Sequence, residues 1–523
     1  MKQFDPVTIE IIWRRLISAA DEAGAALLRS SFSTIVRESY DFACIVTDAQ
    51  GRSIAQASES IPSFIGTLPR TVKHFIREFP AETLAAGDIL VTNDPWMGTG
   101  HLPDLSLVKP MFAGERLIGY VATTAHAPDM GGKTGSADVR DVFEEGLQVP
   151  MMKLMAAGTP NETLIAMLRQ NTRVPDQVLG DLWAQIAALE LLERRTKELM
   201  GEYALEDLKP IADEIVGRTE AAMRAAIQRF PDGNYRYAVY ADGVGQPLKL
   251  NVSIDVIGDR IAVDYAGSSD QVDRGINVAL CYTASQTAYA LKCLLSPDLP
   301  NNEGALLPIE VRATEGSILN HRYPASGQSR TLVGHYLPFV IFGAFADAAP
   351  DKIMAGAGSP LWSMQVTGVD DAGVTFVNKI FFNGGVGATH DRDGHACLSW
   401  PSNVSNVPLE MTEQQSPLRY VFKRIRSGSG GEGRFRGGDG QEVLLRHMGV
   451  RPVIIGFHAE RTEIAAPGVH GGMPGKTGII RINGRDLSPE EQKKQHKVMP
   501  GDEIFLATPG GGGFGAPAER AAA

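Results

Sequence analysis

The 523-residue sequence has few cysteines and no long apolar run. Its cysteines, Cys44, Cys281, Cys293 and Cys397, lie far apart without a C-x-x-C pair, which argues against a thiolate zinc site and against a disulfide framework. No stretch approaches the roughly 18 consecutive apolar residues of a membrane span. The N-terminus also lacks the apolar segment of a secretion signal. The sequence therefore predicts a soluble, cytoplasmic protein.

Clusters of basic residues are also missing. The sequence contains 50 Lys and Arg residues and 61 Asp and Glu residues, which gives a net charge of −11. A surface of this kind offers no electrostatic footprint for nucleic acid or anionic lipid. We therefore expect small molecules and proteins as partners, with no nucleic acid and no membrane.

Apolar periodicity predicts both helices and hairpins. Residues from Pro6 to about Arg29 have helical spacing, and Asp181 is expected to cap a second long helix. Strand patterns at Phe42–Asp48, at 53–57 and beyond residue 231 form hairpins or a meander. Because no run of β-α-β units appears, the predicted fold is mixed α/β of the α+β type, with largely antiparallel sheets and packed helices.

Length and composition predict several domains. A chain of this size exceeds one hydrophobic core. The predicted domains are an N-terminal helix and hairpin domain (1–228), a middle domain with the meander and helices (229–400), and a glycine-rich β domain (401–523). Three glycine-rich runs, at Gly384–Gly387, Ser427–Gly440 and Thr508–Pro517, predict tight turns, with close approach of a ligand as the alternative.

The loop NDPWMGTGHLPD (residues 93–104) carries candidate metal ligands. If the following hairpin turns at Gly114, paired residue numbers sum to about 229, so His126 lies opposite Pro103 and near His101 and Asp104. Two imidazoles and a carboxylate suit zinc, iron or manganese. The alternative is that these are ordinary hydrogen-bonding loop residues, and a register shift of one residue would turn a side chain away.

Further residues near this loop remain open. Asp41, Asp94 and Asp129 are candidates for a fourth ligand. The segment 127–134, APDMGGKT, fits a loose phosphate-binding loop, but Gly135 and Ser136 follow it where a helix should begin. We therefore expect no nucleotide there.

Several motifs in one order resemble the hydantoinase B/oxoprolinase family over nearly the whole chain. They are HLPD, TTAHAPDMGG, EEGLQVP, QNTRVPDQVLGDLWAQ, VDYAGSSDQ, SGSGGEGRFRGGDGQE and TPGGGGFG. The segment Asn383–His390 departs from the family's plainer glycine and arginine run, so substrate contacts are not carried over there.

The resemblance implies the metal-bearing subunit of an ATP-dependent hydrolase of hydantoins, 5-oxoproline or lactams. The matching metal ligands are His101, Asp104 and His126, with Asp41 as the remaining carboxylate. One divalent ion (Zn, Mn or Fe) is implied, while ATP is bound by a hydantoinase A-type ATPase partner. Asp94 or Asp129 is expected to orient a ligand histidine or to accept a proton from water.

Two other functions remain as alternatives. The related acetone and acetophenone carboxylases suggest the metal subunit of an ATP-dependent ketone carboxylase, although this chain is shorter than their corresponding subunits. A non-catalytic, metal-stabilised scaffold for the ATPase partner is the third possibility.

Overall fold

The structure is a computed structural model that describes residues 5–133, 135–358 and 360–520. Its helices are α1 Pro6–Ser30, α2 Thr34–Arg37, α3 Phe64–Glu78, α4 Val142–Glu145, α5 Glu162–Asn171, α6 Pro175–Glu202, α7 Lys209–Gln228, α8 Leu280–Leu295, α9 Thr331–Gly334, α10 Leu337–Ala344 and α11 Leu409–Gln415. In the ranges described, none of the helices combines the length and the apolar character that a membrane crossing needs.

The strands alternate with these helices along the chain. They are β1 Phe42–Asp48, β2 Ser53–Gln56, β3 Ile89–Thr92, β4 Asp104–Ala113, β5 Arg116–His126, β6 Met152–Ala156, β7 Thr159–Pro160, β8 Gly233–Ala241, β9 Leu248–Ile257, β10 Arg260–Asp264, β11 Ile309–Arg312, β12 Trp362–Val369, β13 Thr375–Phe382, β14 Leu418–Ile425, β15 Gln441–His447, β16 Val453–His458, β17 Ile479–Ile482, β18 Arg485–Asp486, β19 Gln495–Val498 and β20 Glu503–Ala507.

The strands form four sheets whose pairing confirms the predicted fold class. The first sheet has the order β2-β1-β5-β4-β3-β6-β7, the second β11-β10-β9-β8, the third β13-β12-β16-β19 and the fourth β14-β15-β20-β17-β18. In these sheets the paired strands are antiparallel, except that β10 and β11 run parallel. The protein is thus a multi-domain α/β protein with largely antiparallel sheets. The domain boundaries near residues 228 and 400 stay predictions.

Helix α1 begins and packs as its sequence predicts. The carboxylate of Asp5 caps it by accepting hydrogen bonds from the backbone nitrogens of Val7 and Thr8. Apolar residues at helical spacing, including Ile9 and Trp13, are buried on one face. This face covers the first sheet, on which the candidate site is built.

Asp181 does not cap a helix, contrary to the prediction. Helix α6 begins earlier, at Pro175, whose fixed φ suits the first helical turn. Asp181 therefore lies inside α6, where its buried carboxylate accepts hydrogen bonds from the backbone nitrogens of Phe32 and Ser33. It ties α6 to the chain just beyond α1.

Three main apolar cores hold the sheets together. One contains residues of the first sheet with α1, α3 and α6, another those of the second sheet with α8 and α10, and a third those of the third and fourth sheets. Phe381 of β13, in the third sheet, belongs to the first of these cores. The third sheet therefore reaches the apolar core of the first sheet.

The glycine-rich runs pack against one another, so the predicted tight turns are wrong for their central residues. Gly511 accepts a hydrogen bond from the backbone nitrogen of Gly431 and donates one to the carbonyl of Gly438. Residues 510–513 have no positive φ. A Cβ on Gly511 would clash with the carbonyl of Val386, and one on Gly437 would clash with the carbonyl of Gly511. We call this region, formed by residues 384–387, 429–440 and 508–515, the glycine core.

Candidate metal centre

The candidate site lies at the open end of the hairpin β4–β5. Near the turn the paired residue numbers sum to 229, as predicted. A β-bulge between Met111 and Phe112 then shifts the register by one residue. His126 is therefore paired with Asp104 and not, as predicted, with Pro103. The bulge thus places an imidazole directly beside a carboxylate.

Asp104 lies between two histidine rings. Its Oδ1 is 2.9 Å from Nδ1 of His126 and 2.9 Å from Nε2 of His101. One potential ligand atom from each of the three residues lies within 4.8 Å of the others. All three side chains are buried. The structure therefore brings together the three residues that the hairpin pattern had indicated.

The second oxygen of Asp104 is held by Thr99 and Arg330. The Thr99 hydroxyl donates a hydrogen bond to Oδ2, and Nη2 of Arg330 lies 2.8 Å from the same oxygen. Burial alone would raise the pKa of Asp104, but the neighbouring His101 and Arg330 outweigh burial and hold this pKa well below its usual range. Asp104 is therefore an anion whose Oδ1 remains directed at the histidines.

The orientation of His101 fits a metal ligand. Its Nδ1 is 2.9 Å from the carbonyl oxygen of Gln328, which can only accept, so Nδ1 carries the hydrogen. Nε2 then presents a lone pair, faces the anionic Asp104 and makes no hydrogen bond within the described part of the chain.

The protonation states fit a metal as well. Burial lowers the pKa of His101, and it lowers the pKa of His126 to about 3. Both rings are therefore neutral near pH 7, as ligating histidines must be. Two neutral imidazoles and one carboxylate form a donor set suited to a divalent transition metal. The residues present thus fit such an ion.

Asp41 lies beside this group. Phe42 pairs with Ala125, and the backbone nitrogen of His126 donates a hydrogen bond to the carbonyl of Asp41. Oδ2 of Asp41 is 3.9 Å from Nδ1 of His126. Burial and the charge of Asp104 raise the pKa of Asp41 to about 7. The role of Asp41 as a further ligand stays a prediction.

The two predicted catalytic carboxylates have different surroundings. Oδ1 of Asp129 is 2.7 Å from Nη1 of Arg173, whose backbone nitrogen also donates to Asp129. Asp94 caps its own loop by accepting hydrogen bonds from the backbone nitrogens of Trp96 and Met97, at 2.8 and 3.1 Å. A catalytic role for either residue stays a prediction.

Two small chambers adjoin the centre. The first chamber has a volume of about 50 Å³ and the second about 30 Å³. Both are lined by His101, His126, Gln328, Lys379 and His458. Asp41 and Asp104 line only the first chamber, Asp129 lines only the second, and Asp94 lines neither. Of the potential metal ligands, His101 and His126 therefore border both chambers.

The third sheet completes the site with residues that the sequence had not indicated. Lys379 of β13 and His458 of β16 line both chambers. Their strands are the two neighbours of β12 in the third sheet. Burial lowers the pKa of Lys379, against the opposing charges of Asp41 and Asp104. Lys379 directly precedes the apolar residues that end β13, and a charged residue in such a strand could have indicated a functional site. No local sequence pattern marked Arg330.

The segment that fits a phosphate-binding loop lacks the helix it needs. Thr134 lies outside the described residues. Between residues 135 and 141 the structure has no helix, and α4, which follows, has four residues. Nζ of Lys133 is 2.6 Å from a carboxylate oxygen of Asp138. Since such loops hold phosphate at a helix N-terminus, this segment lacks the geometry, as predicted.

Fold and site together make this chain a multi-domain α/β protein with a buried histidine–aspartate–histidine group beside two packed sheets. The ATP-dependent caprolactamase from Pseudomonas jessenii has this fold, with 26% identity, a TM-score of 0.89, and coverage of 99% of this chain and 92% of that one. A nucleotide-free acetone carboxylase has a TM-score of 0.88 and coverage of 99% and 76%, and at 20% identity it shows the fold alone.

The chain belongs to the hydantoinase B/oxoprolinase family, whose sequence model matches residues 5–517. A putative D-/L-hydantoinase subunit of Pseudomonas sp. strain NS671 is 31% identical over 548 residues, covering 99% of this chain and 91% of that protein. The 5-oxoprolinase 1 of Arabidopsis thaliana is 29% identical over 546 residues, which cover 98% of this chain and 42% of that protein. The resemblance that the sequence motifs indicated is confirmed.

Proposed function

We propose that this chain is the metal-bearing subunit of an ATP-dependent cyclic-amide hydrolase of the hydantoinase and 5-oxoprolinase type (EC 3.5.2). The observation that carries the proposal is the buried group of His101, Asp104 and His126, in which a histidine lone pair faces a carboxylate anion. Relatives named hydantoinase, 5-oxoprolinase and caprolactamase support the substrate class, because a hydantoin, 5-oxoproline and caprolactam are all cyclic amides. The proposed metal is zinc, manganese or iron, and the proposed location is the cytoplasm.

A hydantoinase A-type ATPase is the proposed partner, in a hetero-oligomer. The hydantoinase relative is named as one subunit of its enzyme, which implies a further subunit, and more than half of 5-oxoprolinase 1 lies outside the region that this chain matches. Resonance makes an amide carbon a poor electrophile. Phosphorylation of the amide oxygen by the partner, at the expense of ATP, would activate this carbon before water attacks it.

The residues of this chain then have distinct proposed roles. His101, Asp104 and His126, with Asp41, would hold a divalent ion that supplies a Lewis acid beside the scissile bond. The carbonyl of Gln328 fixes the ring of His101. Asp129 would accept a proton from the attacking water, because it lines the second chamber together with both histidines. Asp94 would hold the loop that leads to His101.

The proposal is tested by co-expressing the chain with its partner and supplying ATP, a divalent metal and a panel of hydantoins, 5-oxoproline and lactams. We expect ATP-dependent appearance of a ring-opened product from one member of the panel. Omitting ATP is the control and should stop ring opening. Carboxylation of acetone in bicarbonate, without ring opening of any panel member, would replace this proposal with the ketone carboxylase.

The isolated chain is expected neither to bind nor to hydrolyse ATP at a useful rate. Lys133 pairs with Asp138, and no helix follows it in the described residues 135–141. In the complex, Lys133→Ala should therefore leave ATP consumption nearly unchanged. A phosphate-release assay of both forms checks this. ATP turnover by the isolated chain that Lys133→Ala abolishes would show that the loop binds nucleotide after all.

A further inference from the structure

The first chamber contains hydrogen-bond donors that lack acceptors. Lys379 lines it without a hydrogen bond or an ion pair to any residue that the structure describes, and its amine lies 5.7 Å from the ring centroid of Phe381. Ser329 and Arg330 also line this chamber. The hydroxyl of Ser329 and Nε of Arg330 are buried and have no hydrogen-bond partner among the described residues. Within the described ranges, residues that line the first chamber thus carry three donor groups without a hydrogen-bond partner.

The carboxylates of the chamber do not meet this need. Oδ1 of Asp104 lies 2.9 Å from Nδ1 of His126 and 2.9 Å from Nε2 of His101, and its Oδ2 accepts hydrogen bonds from Thr99 and Arg330. Oδ2 of Asp41 lies 3.9 Å from Nδ1 of His126, and Asp41 lies outside ion-pair distance of Lys379. A ligand that enters this chamber would therefore supply acceptors and negative charge.

The size of the chamber limits that ligand. A buried water needs about 10–15 Å³ of cavity volume. The first chamber, with about 50 Å³, therefore has room for a few water-sized groups, which suits one small oxyanion but not a complete ring system. A tetrahedral group with several oxygens can engage an ammonium as a point charge, a guanidinium N–H and a hydroxyl together.

We infer that the first chamber is an oxyanion subsite in which Lys379, Ser329 and Arg330 bind the phosphoryl oxygens of the activated substrate beside the metal centre. This inference rests on the proposed function, in which the partner phosphorylates the amide. The proposed function does not depend on it. Lys379 would hold the phosphoryl group, and the ring of the substrate would lie outside the first chamber.

Binding of inorganic phosphate to the metal-loaded chain tests the subsite by isothermal titration calorimetry. Lys379→Met should weaken phosphate binding by about tenfold or more, as expected for a lost hydrogen bond to a charged group, with unchanged metal content. Ser329→Ala should weaken it less, and Lys379→Arg should retain most of the affinity. Lys292→Met is the control, because Lys292 of α8 is a buried lysine that lines neither chamber.

Several results would overturn the inference. Equal phosphate affinity in the wild type and Lys379→Met would do so, as would the absence of phosphate binding at millimolar concentrations. Acetate and bicarbonate serve as further arms: Lys379-dependent binding of either one, without binding of phosphate, would contradict a phosphoryl subsite. If Lys379→Met does not fold, Lys379→Gln and Ser329→Ala replace it. Wild-type phosphate affinity in both of these variants would overturn the inference.

The ring-opening assay with the unaltered complex keeps the two ideas separate. If that complex opens a cyclic amide while phosphate binding is independent of Lys379, only the subsite is wrong. If phosphate binding depends on Lys379 but no panel member is opened, the proposed substrate class fails and the oxyanion site stands.

Discussion

His126→Ala is expected to release the bound divalent ion from a protein that remains folded. The variant loses one of three clustered ligand groups, and His101→Ala removes another. Loss of an outer partner of a metal ligand already costs about 10–100-fold in affinity, so loss of a ligand should cost more than about 100-fold. The rings lie at a hairpin end and not in the centre of an apolar core, which is why folding should survive. Metal analysis after gel filtration, with circular dichroism for folding, measures both effects.

His395→Ala is the matched control for this experiment. His395 is exposed and lines neither chamber, so this variant should keep its metal. Asp41→Ala should weaken binding less than either histidine change, since its carboxylate oxygen is 3.9 Å from Nδ1 of His126. Full metal occupancy in both His101→Ala and His126→Ala would contradict the ligand assignment.

Gly511→Ala is expected to prevent stable folding of the glycine core. The added Cβ would meet the carbonyl oxygen of Val386 and the backbone nitrogen of Gly387, and backbone atoms cannot rotate away as side chains do. Overpacking a core typically costs 1–3 kcal/mol when side chains can adjust, so we expect at least about 3 kcal/mol here. Gly437→Ala should have the same effect, because its Cβ would clash with the carbonyl of Gly511. Soluble yield and melting temperature check this.

Gly217→Ala provides the comparison. Gly217 is an exposed residue inside α7, and an added Cβ there meets no atom within 4 Å. Alanine favours helix over glycine by up to about 1 kcal/mol, so this variant should be as stable as the wild type or slightly more so. A melting temperature for Gly511→Ala equal to that of Gly217→Ala would refute the packing account of the glycine core.

Local patterns were enough to predict the hairpins, helix α1 and the convergence of His101, Asp104 and His126. Each of these depends on residues close in sequence: a turn, an alternation, or a periodic apolar face. The loop that carries His101 and the strand that carries His126 belong to one hairpin. Their meeting therefore needed no knowledge of the remaining chain.

Features that depend on distant contacts could not be predicted in this way. The bulge that pairs His126 with Asp104 changes the register by one residue and leaves no clear mark in the sequence. Lys379 reaches the site only because the third sheet packs beside the first, and Arg330 only because its loop returns to Asp104. The glycine core joins runs that are distant in sequence, so each run alone had the composition of a turn.

The most direct test of the proposed function is the turnover of complexes assembled from the unaltered partner and either His126→Ala or His395→Ala chains. Ring-opened product and released phosphate are measured in the same samples, with a cyclic amide that the wild-type complex opens. We predict that His126→Ala abolishes ring opening while the partner still consumes ATP, and that His395→Ala behaves like the wild type. Ring opening by the His126→Ala complex at the wild-type rate would contradict a role of this centre in hydrolysis.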